Sequence, residues 1–119
     1  MDMKQLLDQI KQRPDYPQVG MILCHNGVVR GTSRDGRRVS GLRVAVDSDK
    51  LTRTIEKYKA RDGITDILVE INADRDLAVG DDVMFLVVAG DIREHVLSTL
   101  ETTLNEIKST VTSKTEFFN

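Results

Sequence analysis

The chain has 119 residues, one cysteine and a formal net charge of −2 at pH 7. A chain of this length is expected to form one domain, residues 1–119, which buries roughly two-thirds of its unfolded surface, and a lone cysteine excludes an intrachain disulfide framework. The acidic balance and the absence of tryptophan argue against nucleic acid as a partner. No apolar run is long enough to span a bilayer and Met1–Lys4 does not lead into a signal-peptide core, so we expect a cytoplasmic protein without membrane contact.

The first half of the chain predicts two helices that flank two strands. Apolar residues at helical spacing predict a helix over residues 3–12, which two prolines close. The elements that follow are a buried strand over 19–29, a half-buried strand over 39–46, and a helix that begins at an N-cap in 47–49 and ends at 62–63.

The second half predicts two more strands, a long helix and a tail. The elements are a strand over 64–72, a polar connection over 73–82, a strand over 83–89, a helix over 92–109 and a weakly alternating tail over 110–119. The strand over 83–89 is the most hydrophobic and is expected at the centre of the sheet. The long helix is expected to bury Ile92, Val96, Leu97, Leu100, Leu104 and Ile107. This order predicts an α+β fold with a mixed or antiparallel sheet and helices packed on one of its faces.

An arginine-rich segment between the first two strands stands out. Five arginines and one acid lie between Arg30 and Arg43, whereas the whole chain is acidic. Gly31 and Gly36 indicate a turn, so we expect a hairpin that gathers guanidinium groups at one end of the sheet. Such groups repel one another unless an anion binds between them, and a guanidinium suits phosphate or carboxylate. A small anion or an acidic tail is therefore the expected ligand, and a solvated hairpin tip is the alternative.

The sequence gives only weak signals for a cysteine nucleophile, a metal site or a nucleotide-binding loop. Cys24 and His25 are neighbours on a strand, so their side chains point to opposite faces, and we expect Cys24 to be a buried structural cysteine. Two histidines and one cysteine make a metal site improbable. No glycine-rich nucleotide-binding loop is present, so no cofactor is expected. Arg93 lies in the first turn of the long helix, where the helix dipole disfavours a cation, which indicates a role with a ligand or partner.

Several motifs resemble the large, catalytic subunit of molybdopterin synthase. They are Gly-x-Val-Arg at 27–30, Asp-Gly-Arg-x-Val-Ser-Gly-Leu at 35–42, Leu-Ala-Val-Gly-Asp at 77–81, and the final helix with its lysine. The resemblance runs from about Val19 to Glu116. It implies the α/β hammerhead fold of that family.

The resemblance also implies a reaction and a set of site residues. Members of the family convert a cyclic pyranopterin monophosphate to molybdopterin with sulfur from a thiocarboxylate at the C-terminal Gly-Gly of a ubiquitin-like small subunit. By match to the family, Lys108 and Lys114 are the expected catalytic residues. The expected substrate-binding residues are Arg30 and Arg93, joined by Arg37 or Arg38 from the same loop. The resemblance further implies a homodimer that binds two small subunits, and no metal.

Two other functions stay open at this point. Ile92 stands where the family usually has histidine, and the family's C-terminal extension has no counterpart, which favours a non-catalytic relative that keeps an anion-binding or interaction role. A second alternative is a small α+β interaction protein in which residues 30–38, the arginine loop, dock an acidic partner surface.

Overall fold

The computed structural model describes residues 1–119 and has the predicted α+β composition. The principal elements are α1 (Met3–Lys11), β1 (Met21–Val28), β2 (Val39–Val46), α2 (Ser48–Lys59), β3 (Ile64–Ile71), β4 (Asp76–Ala78), β5 (Asp82–Gly90), α3 (Arg93–Glu106) and β6 (Thr112–Phe118). A short 3₁₀ turn, Tyr16–Gln18, follows α1, and a wider π-helical turn, Ile107–Val111, joins α3 to β6. The N-cap expected at residues 47–49 is Asp47, whose carboxylate accepts a hydrogen bond from the Lys50 N–H at 3.0 Å.

The first sheet has the order β1-β5-β3, so the most hydrophobic strand is central, as predicted. Its pairings are antiparallel. The side chains of β5 alternate between two apolar layers: Phe85 packs towards Leu6 and Ile10 of α1, whereas Leu86 packs towards Tyr58 of α2 and Val96 of α3. The expectation that helices lie on one face is therefore wrong. A central strand that is apolar on both sides needs cover on both sides.

The second sheet has the order β4-β2-β6 and is also antiparallel. The expected hairpin at the arginine loop does not form, because β1 pairs with β5 and β2 pairs with β4 and β6. The loop crosses from one sheet to the other instead. The tail that the sequence left weakly defined is strand β6, and its two phenylalanines are exposed, as expected.

The buried stripe of α3 differs in part from the predicted one. Val96 and Ile107 are fully buried, but Ile92 and Leu97 are 49% and 47% exposed. Thr99 and Thr103 complete the buried stripe in their place. These four buried positions recur every three or four residues, as one helix face requires, whereas Leu97 follows Val96 directly and lies about 100° away around the axis.

Candidate active site

A cavity of about 340 Å³ lies where the two sheets meet the end of α3. Strands of both sheets supply its apolar walls, and the charged side chains at its edge are Arg34, Lys108 and Lys114. Its lining residues are His25, Gly27, Val28, Arg34, Leu42, Val44, Ile71, Val83, Met84, Lys108, Thr112 and Lys114. No carboxylate is among them. The cavity therefore presents three cations, one imidazole and apolar walls, which is an arrangement suited to an anion with an apolar body.

The π-helical turn places Lys108 at the cavity. Ile107 and Val111 are buried against Met84 of the central strand, and Lys108 stands between them in sequence. The Thr112 hydroxyl donates to the Ile107 carbonyl at 3.2 Å, which closes the turn as the chain enters β6. Because its two apolar neighbours are fixed in the core, the lysine is held at the rim.

The register of β6 places Lys114 beside the same space. Lys114 lies opposite Val44 of β2, and Thr112 lies opposite Val46. Residues that are directly opposite in an antiparallel pair share a face of the sheet. Val44 is buried and lines the cavity, so Lys114 is directed to the cavity side. The two lysines, which belong to different elements, are thus brought together.

Arg34 reaches the cavity from a tight turn in the arginine loop. The Ser33 N–H donates to the Arg37 carbonyl at 2.9 Å, and Gly36 has a φ of 86°, a left-handed conformation that glycine adopts without strain. The Asp35 carboxylate accepts hydrogen bonds from the Ser33 hydroxyl and, at 3.3 Å, from the Arg37 N–H. The hydrogen bond from Ser33 is the main reason that the pKa of Asp35 lies below its usual value, and the bond from Arg37 adds to the effect. Asp35 is therefore engaged within the turn and leaves Arg34 without an acidic partner.

The four arginines expected to bind the substrate, which are Arg30, Arg37, Arg38 and Arg93, do not line the cavity of the single chain. The Arg30 side chain donates from Nε to the Thr32 carbonyl at 2.8 Å, and the Arg37 guanidinium lies 3.7 Å from the centre of the Phe118 ring. Arg38 bridges to Thr32. None of these three lines the cavity.

Arg93 lies at the opposite end of α3 from Lys108. Fifteen residues separate the two in sequence, which corresponds to about 22 Å along the helix axis. Its guanidinium is 3.6 Å from the Glu94 carboxylate and is 75% exposed. Within a single copy of the chain, Arg93 therefore does not reach this cavity.

His25 is a cavity residue that the sequence reasoning passed over. It lines the cavity together with Gly27, the next residue on the same face of β1. Burial, and secondarily the charge of Lys108, lower the pKa of His25. The available signal was strand alternation, which places His25 on the face that α3 covers. The same alternation places Cys24 on the other face, where it is exposed, so the expectation of a buried cysteine is wrong.

No three His, Cys, Asp or Glu side chains are close enough together to hold a metal ion. None of the helices has the length and apolar character needed to cross a membrane.

The fold is that of solved molybdopterin synthase structures. Molybdopterin synthase from Staphylococcus aureus matches with a TM-score of 0.81 at 17% identity, over 100% of this chain and 86% of that one. A complex of subunits 1 and 2 of molybdopterin-converting factor from Helicobacter pylori matches with a TM-score of 0.74 at 20% identity, over 100% and 80%. Molybdopterin cofactor biosynthesis protein E from Burkholderia multivorans matches with a TM-score of 0.78 at 18% identity, over 100% and 82%.

The family follows from the sequence as well as from the fold. The family model described as MoaE protein matches residues 1–110. A comparison with curated proteins finds no match. The chain belongs to the MoaE family, the large-subunit family of molybdopterin synthase, which confirms the resemblance found in its motifs. Membership gives it a role in molybdenum cofactor biosynthesis.

Proposed function

We propose that this chain is the catalytic subunit that transfers sulfur from a thiocarboxylated small subunit to cyclic pyranopterin monophosphate, which forms molybdopterin. The observation that carries the proposal is the convergence of Lys108, Lys114 and Arg34 on one cavity without an acid. The reaction brings together two anions, a phosphate and a thiocarboxylate. A cavity of this charge lowers the electrostatic cost of holding both at once.

The two lysines are the proposed catalytic residues. Lys108 leaves the end of a helix and Lys114 leaves a strand, so their ammonium groups approach the cavity from two directions. One ammonium can bind the thiocarboxylate, while the other lysine acts at the substrate carbon that receives sulfur. Lysine offers three donors on a flexible stem, which suits a reacting group whose position changes during transfer.

The substrate phosphate is proposed to bind on the side of the arginine loop. Arg34 is the loop arginine at the cavity, and Arg30, Arg37 and Arg38 belong to the same loop. A hydrogen bond to a charged group contributes about 1.5–3 kcal/mol, so one or two of these guanidinium groups suffice to fix a phosphate. The apolar wall, which includes Leu42 and Val44, would then face the pterin ring system.

Arg93 enters this proposal only through a homodimer. Because it lies at the far end of α3 from the cavity, a role in substrate binding requires that a second copy present its Arg93 to the cavity of the first. We propose such a homodimer, with one small subunit bound to each copy.

The proposed partner is a ubiquitin-like protein that inserts its C-terminal Gly-Gly tail into the cavity. The Helicobacter pylori relative is a complex of two subunits, which supports a partner of this kind. Glycine has no Cβ and can thread a narrow channel, and a terminal thiocarboxylate is an anion that the lysines can bind.

Reconstitution tests the proposal. The purified chain is mixed with a thiocarboxylated small subunit and the pyranopterin substrate, and molybdopterin formation is measured. Calorimetry then compares the full-length small subunit with one that lacks the Gly-Gly tail. Product formation together with loss of binding on tail removal supports the proposal. Equal binding of both forms would contradict the inserted tail, and binding without any product would contradict catalysis.

The last outcome is the one expected of a non-catalytic relative that binds anions or partners. One observation favours that second candidate: Ile92, where the family usually has histidine, has an exposed apolar side chain at the start of α3. An imidazole that could donate or accept a hydrogen bond is therefore missing from that position.

A further inference from the structure

His25 carries a polar atom that the chain leaves without a partner. Its Nε2 is buried and makes no hydrogen bond. A Cβ placed on Gly27 would lie 3.4 Å from Nε2, so the ring lies over the glycine and uses the space that a larger side chain would fill. A buried polar atom without a hydrogen bond is unfavourable, and in a cavity wall it indicates a group that a ligand satisfies.

The surroundings of the ring are cationic and apolar. Arg34 reaches the cavity from the loop, Lys108 from the π-helical turn and Lys114 from β6. Strands β2, β3 and β5 contribute only apolar side chains to the lining, which are Leu42, Val44, Ile71, Val83 and Met84. Since no acid faces the ring, nothing in the empty cavity stabilises a charged imidazolium.

We infer that His25 takes up a proton when an anion enters the cavity, and that its imidazolium then donates a hydrogen bond to that anion. The anion supplies the two things that the ring lacks, which are a negative charge and an acceptor. It also offsets the repulsion between His25 and Lys108. The orphaned nitrogen thereby becomes a charge-assisted donor, and the cavity gains a fourth positive charge only when it is occupied.

The linkage has a definite sign. Burial and Lys108 hold the pKa of His25 below its ordinary value of 6.5 in the empty cavity. A bound anion raises that pKa, so the occupied state binds more protons than the empty one. Affinity must then be highest at low pH and must fall as pH rises through the window between the two pKa values. Each unit by which the anion raises the pKa makes the low-pH affinity about tenfold higher than the high-pH affinity.

This inference rests on the proposed function only in taking the cavity as the place where a substrate anion binds. Its test needs neither the small subunit nor sulfur transfer. A chain that binds anions with proton uptake but makes no molybdopterin would contradict the proposed catalysis and leave the role of His25 intact.

Inorganic sulfate is the appropriate probe, because it is a tetrahedral dianion that does not titrate near neutral pH, whereas phosphate does. Binding to the full chain is measured by calorimetry at constant ionic strength between about pH 5 and pH 8, the range in which histidine changes charge. Repetition in buffers of different ionisation enthalpy gives the number of protons taken up. Proton NMR follows the imidazole signals, and since the chain has two histidines, the His95→Gln variant assigns them.

The variants His25→Phe and His25→Gln separate the role of the charge from that of the ring. The wild-type chain should bind sulfate more tightly at low pH with proton uptake, and the signal of His25 should shift to a higher pKa. Both variants should keep sulfate binding and lose the pH dependence, whereas His95→Gln should retain it. Four outcomes would each overturn the inference. They are an unchanged pH dependence in the two His25 variants, no rise in the pKa of His25, an adventitious ion only, bound away from the cavity, and no sulfate binding at all.

Discussion

At the N-terminal end of α3 the charged side chains are paired, whereas at its C-terminal end the cations face a cavity without acids. His95 Nδ1 lies 2.7 Å from the Asp91 carboxylate, and Arg93 lies 3.6 Å from that of Glu94. At the other end Glu106 is the nearest acid in sequence to Lys108, but its carboxylate lies 2.5 Å from Lys57 Nζ and also accepts from the Tyr58 hydroxyl. The difference separates charges that have an acidic partner within the chain from charges that line a cavity without one.

Loss of either cavity lysine should give the largest effect. Lys108→Ala or Lys114→Ala should lower the rate of molybdopterin formation about 10²- to 10⁴-fold, the range typical of a lost acid–base group. Both side chains are exposed, so the free energy of unfolding should change by less than about 0.5 kcal/mol. The rate and the urea midpoint are measured together. Lys50→Ala, an exposed lysine of α2 outside the cavity, is the matched control, and a comparable rate loss there would remove the distinction.

Buried residues at the two ends of α3 should differ in what they affect besides stability. Ile107 and Val96 are both fully buried. Ile107→Ala should cost about 2–5 kcal/mol of unfolding free energy and should also weaken sulfate binding, because Ile107 anchors the turn that holds Lys108. Val96→Ala should lower stability but leave the sulfate affinity of the folded chain unchanged. Calorimetry well below both melting temperatures distinguishes the two, and equal sulfate affinities would show that the turn does not depend on its anchor.

Arg34 should matter for anion binding more than an arginine away from the cavity. Arg34→Ala removes one charge from the cavity rim and should weaken sulfate binding about tenfold, which corresponds to the lower end of a charge-assisted hydrogen bond. Arg53→Ala removes an equal charge from the exposed face of α2 and serves as the control. If both variants lose the same affinity, the attraction is due to net charge and not to a site.

The smallest expected effect is a difference between His25 and Asp91 in how each makes stability depend on pH. The lowered pKa of His25 means that its neutral form is favoured on folding, so stability should fall as pH drops below about 6.5. At the other end of α3, the hydrogen bond with His95 and, to a smaller extent, that from the Ile92 N–H lower the pKa of Asp91. The stability that Asp91 contributes should therefore persist to lower pH and be lost as Asp91 is protonated. Urea unfolding is measured at a series of pH values. His25→Phe should remove the loss of stability below about pH 6.5, whereas His95→Gln should weaken only the stabilisation that Asp91 provides.

The sequence predicted the helices and strands well because their local signals are strong. Apolar spacing and the Asp47 cap define α2, and the apolar run over 83–89 identifies the central strand. The same run, which is apolar without alternation, also implies that both faces of the strand are covered. Strand pairing was harder, because a short loop between two strands suggests a hairpin, and only contacts distant in sequence show that β1 and β2 belong to different sheets.

The candidate site was predicted in part. Lys108 and Lys114 came from the family motifs, and the structure places both at one cavity. The arginine that lines the cavity is Arg34, whereas the Arg30 guanidinium donates to the Thr32 carbonyl. Composition carries no information on which arginine of the loop lines the cavity. The residue types suggested only two roles for His25, as a partner for Cys24 or as a metal ligand, and neither indicates its position beneath the end of α3.

The last residues of the chain hold the arginine loop by several contacts. The Asn119 N–H donates to the Arg38 carbonyl at 3.2 Å, the Ser40 hydroxyl donates to the Phe117 carbonyl at 3.2 Å, and the Phe118 ring lies under Arg37. Replacing Phe117 and Phe118 by glycine should therefore release the loop while the cavity lysines, which precede this pair of residues, stay in place.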